Sequence, residues 1–306
     1  MNTYFIIGNI TLFVVMITYC PSTNERSPLM EKTPSNANSL VTYEAKNFIG
    51  FITLNRPEKR NALNTLVWDA LNQAIGMAEQ DPETRVIMVR GKGKSFCAGL
   101  DLSPDNEIFI SFNKPPDASQ KVWFFQEVTR IQKIHTRLEK ISKPTIAVIQ
   151  GHCLGAGLEL ALCCDIRLCE RKTVFALPEP KLGIITDVGG LQRLPKVVGK
   201  GHAREIAFRG NRFDADRAER IQLVNHVYDD PETLEKRSKE MAEEIAGNPP
   251  LAVQGAKDVM CFDEEAGLEE SLHYNAARSS MIIPSQDLFE AVSAYLQKRK
   301  GNFVGA

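Results

Sequence analysis

The sequence predicts an α/β fold that gives way to a layer of helices in its C-terminal third, on three observations. Short apolar runs such as "RVIMVRG" (85–91) and "KPTIAVIQG" (143–151) alternate with longer segments of helical period, the pattern of buried strands with helices between them. Three glycine-containing turns, "CAGLDL" (97–102), "LGAGLEL" (154–160) and "DVGG" (187–190), stand just after predicted strands. Beyond residue 200 only helical patterns follow. The expected divisions are 1–39 for an apolar leader and disordered linker, 40–200 for the α/β core and 201–306 for the helical region.

Each element has its own warrant. "LVTYEA" (40–45) and "FIGFITLN" (48–55) are rich in β-branched and aromatic residues and are separated only by Lys46 and Asn47, so they read as a hairpin. "TLVWDALNQAIGMAEQ" (65–80) has helical periodicity and leads to the buried strand at 85–91. After the glycine-rich loop "GKGKSFCAGLDL" (91–102), a helix is expected around 123–139, then the strand at 143–151 and a glycine-opened helix at 154–164. "DIRLCE" (165–170) and "TVFALPE" (173–179) supply two more strands. The segments 201–210, 214–223, 231–247, 250–262 and 285–300 read as successive helices, the third with a solvated charged face.

Composition narrows the function. The chain has 306 residues, 43% hydrophobic and 25% charged, enough for a sizeable core. A net charge of −1 lacks the basic surplus expected of a protein that binds nucleic acid or an anionic membrane surface. Seven cysteines, Cys20, Cys97, Cys153, Cys163, Cys164, Cys169 and Cys261, lie mostly in apolar runs without zinc-site spacing and are expected as reduced core residues. The histidines are scattered, so no metal site is expected. Residues 4–20, "YFIIGNITLFVVMITYC", are marginal in length for a bilayer span and have no Lys or Arg ahead of them. They read as a membrane anchor, an atypical targeting segment, or sequence upstream of a true start at Met30; the last is the expectation here.

The chemistry-bearing stretch is "FALPEPKLGIITDVGGLQRLPKVVG" (175–199), where Glu179 and Asp187 flank a short run with one lysine. Taken singly they read as loop acids, and Glu159, two residues past "GAG", as a first-turn helix acid favoured by the helix dipole. His152 reads as a packing or hydrogen-bonding histidine rather than a base. The glycine turns change the weighing. At a helix N-terminus the first N–H groups lack intrahelical partners, and small residues let the backbone approach an oxygen closely. Two such loops, each giving one N–H to a single carbonyl oxygen, make an oxyanion hole.

The chain resembles the crotonase (enoyl-CoA hydratase/isomerase) superfamily over about residues 41–298, through "LNRPEKRNALN", "GKSFCAGLDL", "KPTIAVIQGHCLGAGLELALCCDIR" and "PEPKLGIITDVGGLQRLPKVVG" in this order. The resemblance implies a crotonase-type ββα spiral core with a C-terminal helical trimerisation layer, and an acyl-CoA thioester as partner. It implies no separate cofactor, coenzyme A being part of the substrate, and a trimer or hexamer of this chain. By position, the oxyanion donors would be the N–H groups of Leu100 and Ala156. Arg56, Lys59, Arg60, Ala62 and Leu63 would meet the coenzyme A nucleotide, and Ala98, Gly99, Asp101, Leu102, Gly155 and Gly157 would add substrate contacts. Family hydratases carry two glutamates twenty positions apart, as Glu159 and Glu179 are. Dienoyl-CoA isomerases add an aspartate eight residues further on, where Asp187 stands, but carry aspartate at the position of Glu159. The resemblance thus implies a Δ3,5-Δ2,4-dienoyl-CoA isomerase of fatty acid β-oxidation, with 2-enoyl-CoA hydratase as the alternative. A binding protein without turnover would have no need of all three acids. The expected location is the cytoplasm or an organelle matrix.

Overall fold

The computed structural model describes residues 39–104, 106–112 and 117–306. The apolar run 4–20 and Met30 lie outside the described residues. No helix among the described residues is long and apolar enough to cross a membrane.

The chain opens with the expected hairpin, β1 (Val41–Lys46) antiparallel to β2 (Ile49–Leu54). Helix α1 (Thr65–Gln80) follows, with the Asn64 side chain accepting from the Val67 N–H at 3.0 Å as its N-cap. Next come β3 (Val86–Gly91), α2 (Glu107–Phe112), α3 (Ala118–Lys140) and β4 (Thr145–Ile149). The middle of the chain supplies β5 (His152–Leu154), α4 (Ala156–Ala161), β6 (Ile166–Glu170), β7 (Val174–Ala176) and α5 (Gly190–Arg209). The remainder holds β8 (Phe213–Asp214), α6 (Ala215–Arg220), β9 (His226–Tyr228), α7 (Pro231–Ala246), α8 (Pro250–Asp263), α9 (Leu268–Ile282) and α10 (Gln286–Leu296).

Among the described residues two sheets form. The larger runs β1-β2-β3-β4-β6-β9 and is parallel apart from the β1-β2 hairpin; the smaller is β5-β7-β8. Strand periodicity divides the larger sheet's side chains between two cores. Ile87, Val89, Ala147 and Ile149 pack with Val67, Trp68, Leu71 and Ile75 of α1, whereas Val86, Met88, Ile146 and Val148 meet Leu234, Ala242 and Ala246 of α7. That is why 85–91 and 143–151 read as unbroken apolar runs: both faces are covered.

The structure departs from expectation where backbone donors or neighbours intervene. "TVFALPE" ends as a strand at Ala176, and Glu179 opens a 3-10 turn, Glu179–Leu182, because Pro178 and Pro180 cannot donate to a ladder. The glycine-opened helix starts only at Ala156, since Leu154 is taken by β5, which pairs with β7. The segment 201–210 is the end of α5, set off by a break in helical geometry at Gly199 (φ 77°, ψ 159°). The C-terminal third is not purely helical: β9 joins the edge of the larger sheet beside β6. Five of the cysteines, Cys97, Cys153, Cys163, Cys164 and Cys169, are free and buried, and Cys261 is free and half-buried.

Asn61 ties the loops beneath the site. It sits in the left-handed region (φ 57°), and its Nδ2 donates to the carbonyls of Lys92, Ser95 and Phe96 while Oδ1 accepts from the Arg56 N–H. Replacing a buried amide that serves four backbone groups strands most of them. Asn61→Ala is expected to lose on the order of 2 to 3 kcal/mol of stability in a denaturant titration. A loss below about 0.5 kcal/mol, the range of surface changes, would contradict the brace.

Candidate active site

The site is built from two loops and one turn. The segment after Asn61 pairs with the glycine loop after β3: the Leu63 N–H donates to the Gly99 carbonyl at 2.8 Å, and the Asp101 N–H donates to the Leu63 carbonyl at 2.8 Å. Backbone groups alternate in direction along an extended chain, so the intervening Leu100 N–H faces away from Leu63. On the other side, Gly155 donates to the Ala176 carbonyl at 2.9 Å and turns the chain into α4 at φ 51°, ψ −126°. The N–H of Ala156 is then the first of α4 and has no intrahelical partner. Among the described residues neither Leu100 nor Ala156 donates its N–H to a protein acceptor. Gly99 brings the two loops together: a Cβ there would stand 2.7 Å from the Leu154 carbonyl oxygen and 3.6 Å from the Ala156 nitrogen.

Leu100 and Ala156 both line a cavity of about 620 Å³. Its wall is largely apolar, with Trp68 from α1, Ile108 from α2, Phe124, Val128 and Ile131 from α3, and Ile185 beyond the 3-10 turn. Glu159, Glu179 and Asp187 all line it. Glu159 is 2% exposed and its Oε2 accepts from the Gly190 N–H, the first of α5, at 2.6 Å. A Cβ on Gly190 would lie 2.8 Å from Glu159 Cγ. Glu179 lies against the other loop, its Oε1 2.5 Å from where a Cβ on Gly155 would be, and its Oε2 accepts from the Thr186 hydroxyl at 3.3 Å.

Burial sets the electrostatics. It pushes the Glu159 pKa up to about 8, against the Gly190 N–H, with the charges of Glu179 and Asp187 adding to the rise. The Glu179 pKa is also raised by burial, against its own N–H and the Thr186 hydroxyl, and the charge of Asp187 contributes. Asp187 is raised by burial, with only its own N–H opposing. Three carboxyl groups whose pKa values burial raises thus line one apolar cavity, an arrangement of the kind suited to acid-base chemistry.

These shifts carry a stability consequence. Between the ordinary carboxylate range and pH 8 the folded chain holds a proton on Glu159 that the unfolded chain releases, so stability falls as pH rises through this window. Glu159→Gln removes that cost while keeping an acceptor for Gly190. The variant is expected to be more stable than the parent at pH 8.5 by on the order of a few kcal/mol, with the gap closing at pH 5. Denaturant titrations at both pH values check this, and a gap independent of pH would refute it.

The other expected residues divide. Ala98, Gly99, Leu102 and Gly155 line the cavity. Arg56 does not: its guanidinium donates to Asp101 Oδ2 at 2.5 Å and to the Ala62 carbonyl at 3.1 Å. Burial alone would raise the Asp101 pKa, but hydrogen bonds from Ser103 and the Arg56 guanidinium outweigh it and the net shift is downward. Lys59, which donates to the Ser103 hydroxyl at 3.0 Å, and Arg60 are exposed. Ala62 and Leu63 are buried, and Gly157 backs onto Cys97, where a Cβ would lie 2.7 Å from its carbonyl oxygen. His152 pairs through Nδ1 with the Ser95 hydroxyl at 3.1 Å. Sequence reasoning did not single out Trp68, Thr186 or Glu127. Glu127 is a fourth wall carboxylate, bound to Arg130 at 2.6 and 2.8 Å. Its only sequence signal is the helical spacing of an acid and a base three residues apart.

The family profile described as enoyl-CoA hydratase/isomerase matches residues 44–306. The chain belongs to the enoyl-CoA hydratase/isomerase family. It is 35% identical over 256 residues to the mitochondrial Δ(3,5)-Δ(2,4)-dienoyl-CoA isomerase of Dictyostelium discoideum, covering 84% of this chain and 87% of that one. It is 34% identical over 262 residues to the short-chain-enoyl-CoA hydratase of Clostridium acetobutylicum, covering 85% and 95%. The crystal structure of enoyl-CoA hydratase from Bacillus anthracis superposes with a TM-score of 0.79 at 30% identity, covering 87% of this chain and all of that one. The α/β core with its helical C-terminal region is thus a crotonase-type fold.

Proposed function

We propose that this chain is a Δ3,5-Δ2,4-dienoyl-CoA isomerase acting in fatty acid β-oxidation. The observation that carries the reading is the position of Asp187: it faces the same apolar cavity as Glu179, and its carboxyl has no side-chain partner among the described residues. In the reaction one acid takes a proton from C2 of the 3,5-diene, and electron density moves through the conjugated chain onto the thioester oxygen. A proton then arrives at C6, giving the 2,4-diene. The N–H groups of Leu100 and Ala156 stabilise the developing oxyanion. Two separate acids suit the distance between C2 and C6. Glu159, neutral at pH 7 in this environment, adds no further negative charge beside the dienolate.

The substrate is an acyl-CoA thioester, with no additional cofactor. Exposed Lys59 and Arg60 are suited to the nucleotide phosphates, while Arg56 braces the loop through Asp101. The chain assembles with itself as a trimer or hexamer. Support comes from the apolar surface that α9 and α10 leave exposed, including Leu272, Met281, Phe289, Tyr295 and Leu296. The mitochondrial relative supports an organelle matrix as its location.

A second reading, 2-enoyl-CoA hydratase, is favoured by a glutamate at 159, which with Glu179 could hold a water molecule. Ultraviolet spectroscopy separates the two. A 3,5-dienoyl-CoA gains conjugation with the thioester when isomerised, so a new long-wavelength band grows; a 2-enoyl-CoA loses its band when hydrated. The isomerase reading expects the first, and no band growth with the diene would sink it.

A further inference from the structure

Helix α3 lines the cavity through Phe124, Val128 and Ile131, and it also grips the turn that carries Asp187. Successive carbonyl oxygens of that turn accept from side chains on or held by this helix. Gln132 Nε2 donates to the Asp187 carbonyl at 2.6 Å, and His135 Nδ1 to the Val188 carbonyl at 2.8 Å. A carbonyl only accepts, so Nδ1 carries the proton; burial holds the ring neutral, with its pKa lowered to about 4. Arg193 reaches the Gly189 carbonyl at 3.4 Å and is itself held by Glu139, at 2.6 and 2.9 Å, and by the Thr136 hydroxyl at 3.2 Å. Positions 132, 135, 136 and 139 share one helix face. On the opposite side, the next residue, Gly190, donates its N–H to Glu159. The turn is therefore clamped from both sides, with its carbonyls toward α3 and its N–H toward the acid.

We infer that Gln132 is a positioning residue for Asp187, and that this polar face of α3 sets the direction in which Asp187 presents its carboxyl group to the cavity. The inference rests on the proton-carrying role proposed for Asp187. The Asp187 side chain has no partner beyond its own N–H among the described residues, so whatever fixes its backbone fixes the acid. Gln132 is the exposed member of the set and contributes nothing to core packing. His135, by contrast, is fully buried and meets the Trp68 ring edge-on at 5.1 Å. Gln132 can therefore be changed without disturbing the fold.

The test uses Gln132→Ala and Gln132→Lys in the full chain. Asp187 is titrated by carbon-13 NMR, its carboxyl resonance assigned by its disappearance in Asp187→Asn. The charged groups that share the cavity wall with Asp187 are Glu159 on α4, Glu179 on the 3-10 turn and Glu127 on α3, the last paired with Arg130, while the Arg193–Glu139 pair holds the Gly189 carbonyl of the same turn; the Ala variant alters none of them. Gln132→Ala is expected to lower kcat for dienoyl isomerisation about tenfold with KM changed less than about twofold, as misplacement of an acid predicts. The Asp187 midpoint should move down toward the ordinary carboxylate range as the loosened turn admits water, while thermal melting stays near that of the parent. Gln132→Lys, which keeps a donor at similar reach, should recover most of kcat. Unchanged kcat and midpoint in Gln132→Ala, or a Lys variant as slow as the Ala variant, would overturn the inference. If the parent fails to isomerise the diene while the midpoint still moves in Gln132→Ala, the functional reading falls and the positioning of Asp187 stands.

Discussion

A folded Ala156→Pro protein is expected to turn over acyl-CoA substrate roughly 100-fold to 1000-fold more slowly than the parent, the scale for losing one oxyanion donor. The substitution suits the local backbone. Proline is well tolerated at the first position of a helix, where its missing N–H would have no intrahelical partner. The preceding residue is Gly155, whose lack of a Cβ relieves the usual restriction before proline. What is lost is the N–H of Ala156, the donor proposed to act together with that of Leu100, and the proline Cδ takes its place. Ala156→Ser keeps the donor and serves as the control for side-chain size. Comparable activity in Ala156→Pro and the parent, with both folded by circular dichroism, would remove Ala156 from the oxyanion site.

Asp187→Asn and Glu179→Gln are each expected to slow dienoyl isomerisation by about 100-fold or more, the usual worth of a positioned acid or base. Asparagine keeps the shape of Asp187 and removes its ability to carry a proton. Glu159→Gln should cost much less, because a residue that is already neutral in the cavity loses little by becoming permanently neutral. The hydratase reading reverses this order: Glu159→Gln and Glu179→Gln become severe for hydration, and Asp187→Asn nearly silent. Both activities measured in the three variants rank the hypotheses. Unchanged dienoyl isomerisation in Asp187→Asn would transfer the assignment to the hydratase.

The alternating strands and helices of the core were legible because both faces of β3 and β4 are covered, which writes itself into the sequence as unbroken apolar runs. The terminal elements were less legible. α9 has apolar residues on more than one face, with Leu272 and Met281 exposed, so its helical period is weak, and β9 is too short to show alternation. Glu179 was expected at the end of a strand, yet two flanking prolines place it on a 3-10 turn.

The sequence, through two small-residue turns able to expose N–H groups and through its resemblance to the crotonase superfamily, determined which residues could do chemistry, the three acids among them. The turns are local properties, depending on residue type and on the few neighbours that shape them, whereas the acids were picked out by the order and spacing of the family's motifs. Only the tertiary structure decided where each sits and what it touches. The resemblance offers Arg56 and Asp101 as substrate contacts, and the fold pairs them with one another. Glu159 is an ordinary first-turn acid until α5 closes over it, and its pKa rises because burial removes water from the charged form. Gln132 lies in a stretch expected only to be helical, and its contact with a carbonyl fifty-five residues away exists only because α3 packs along the Asp187 turn. Burial and long-range hydrogen bonds are properties of the packed chain, and no local pattern records them.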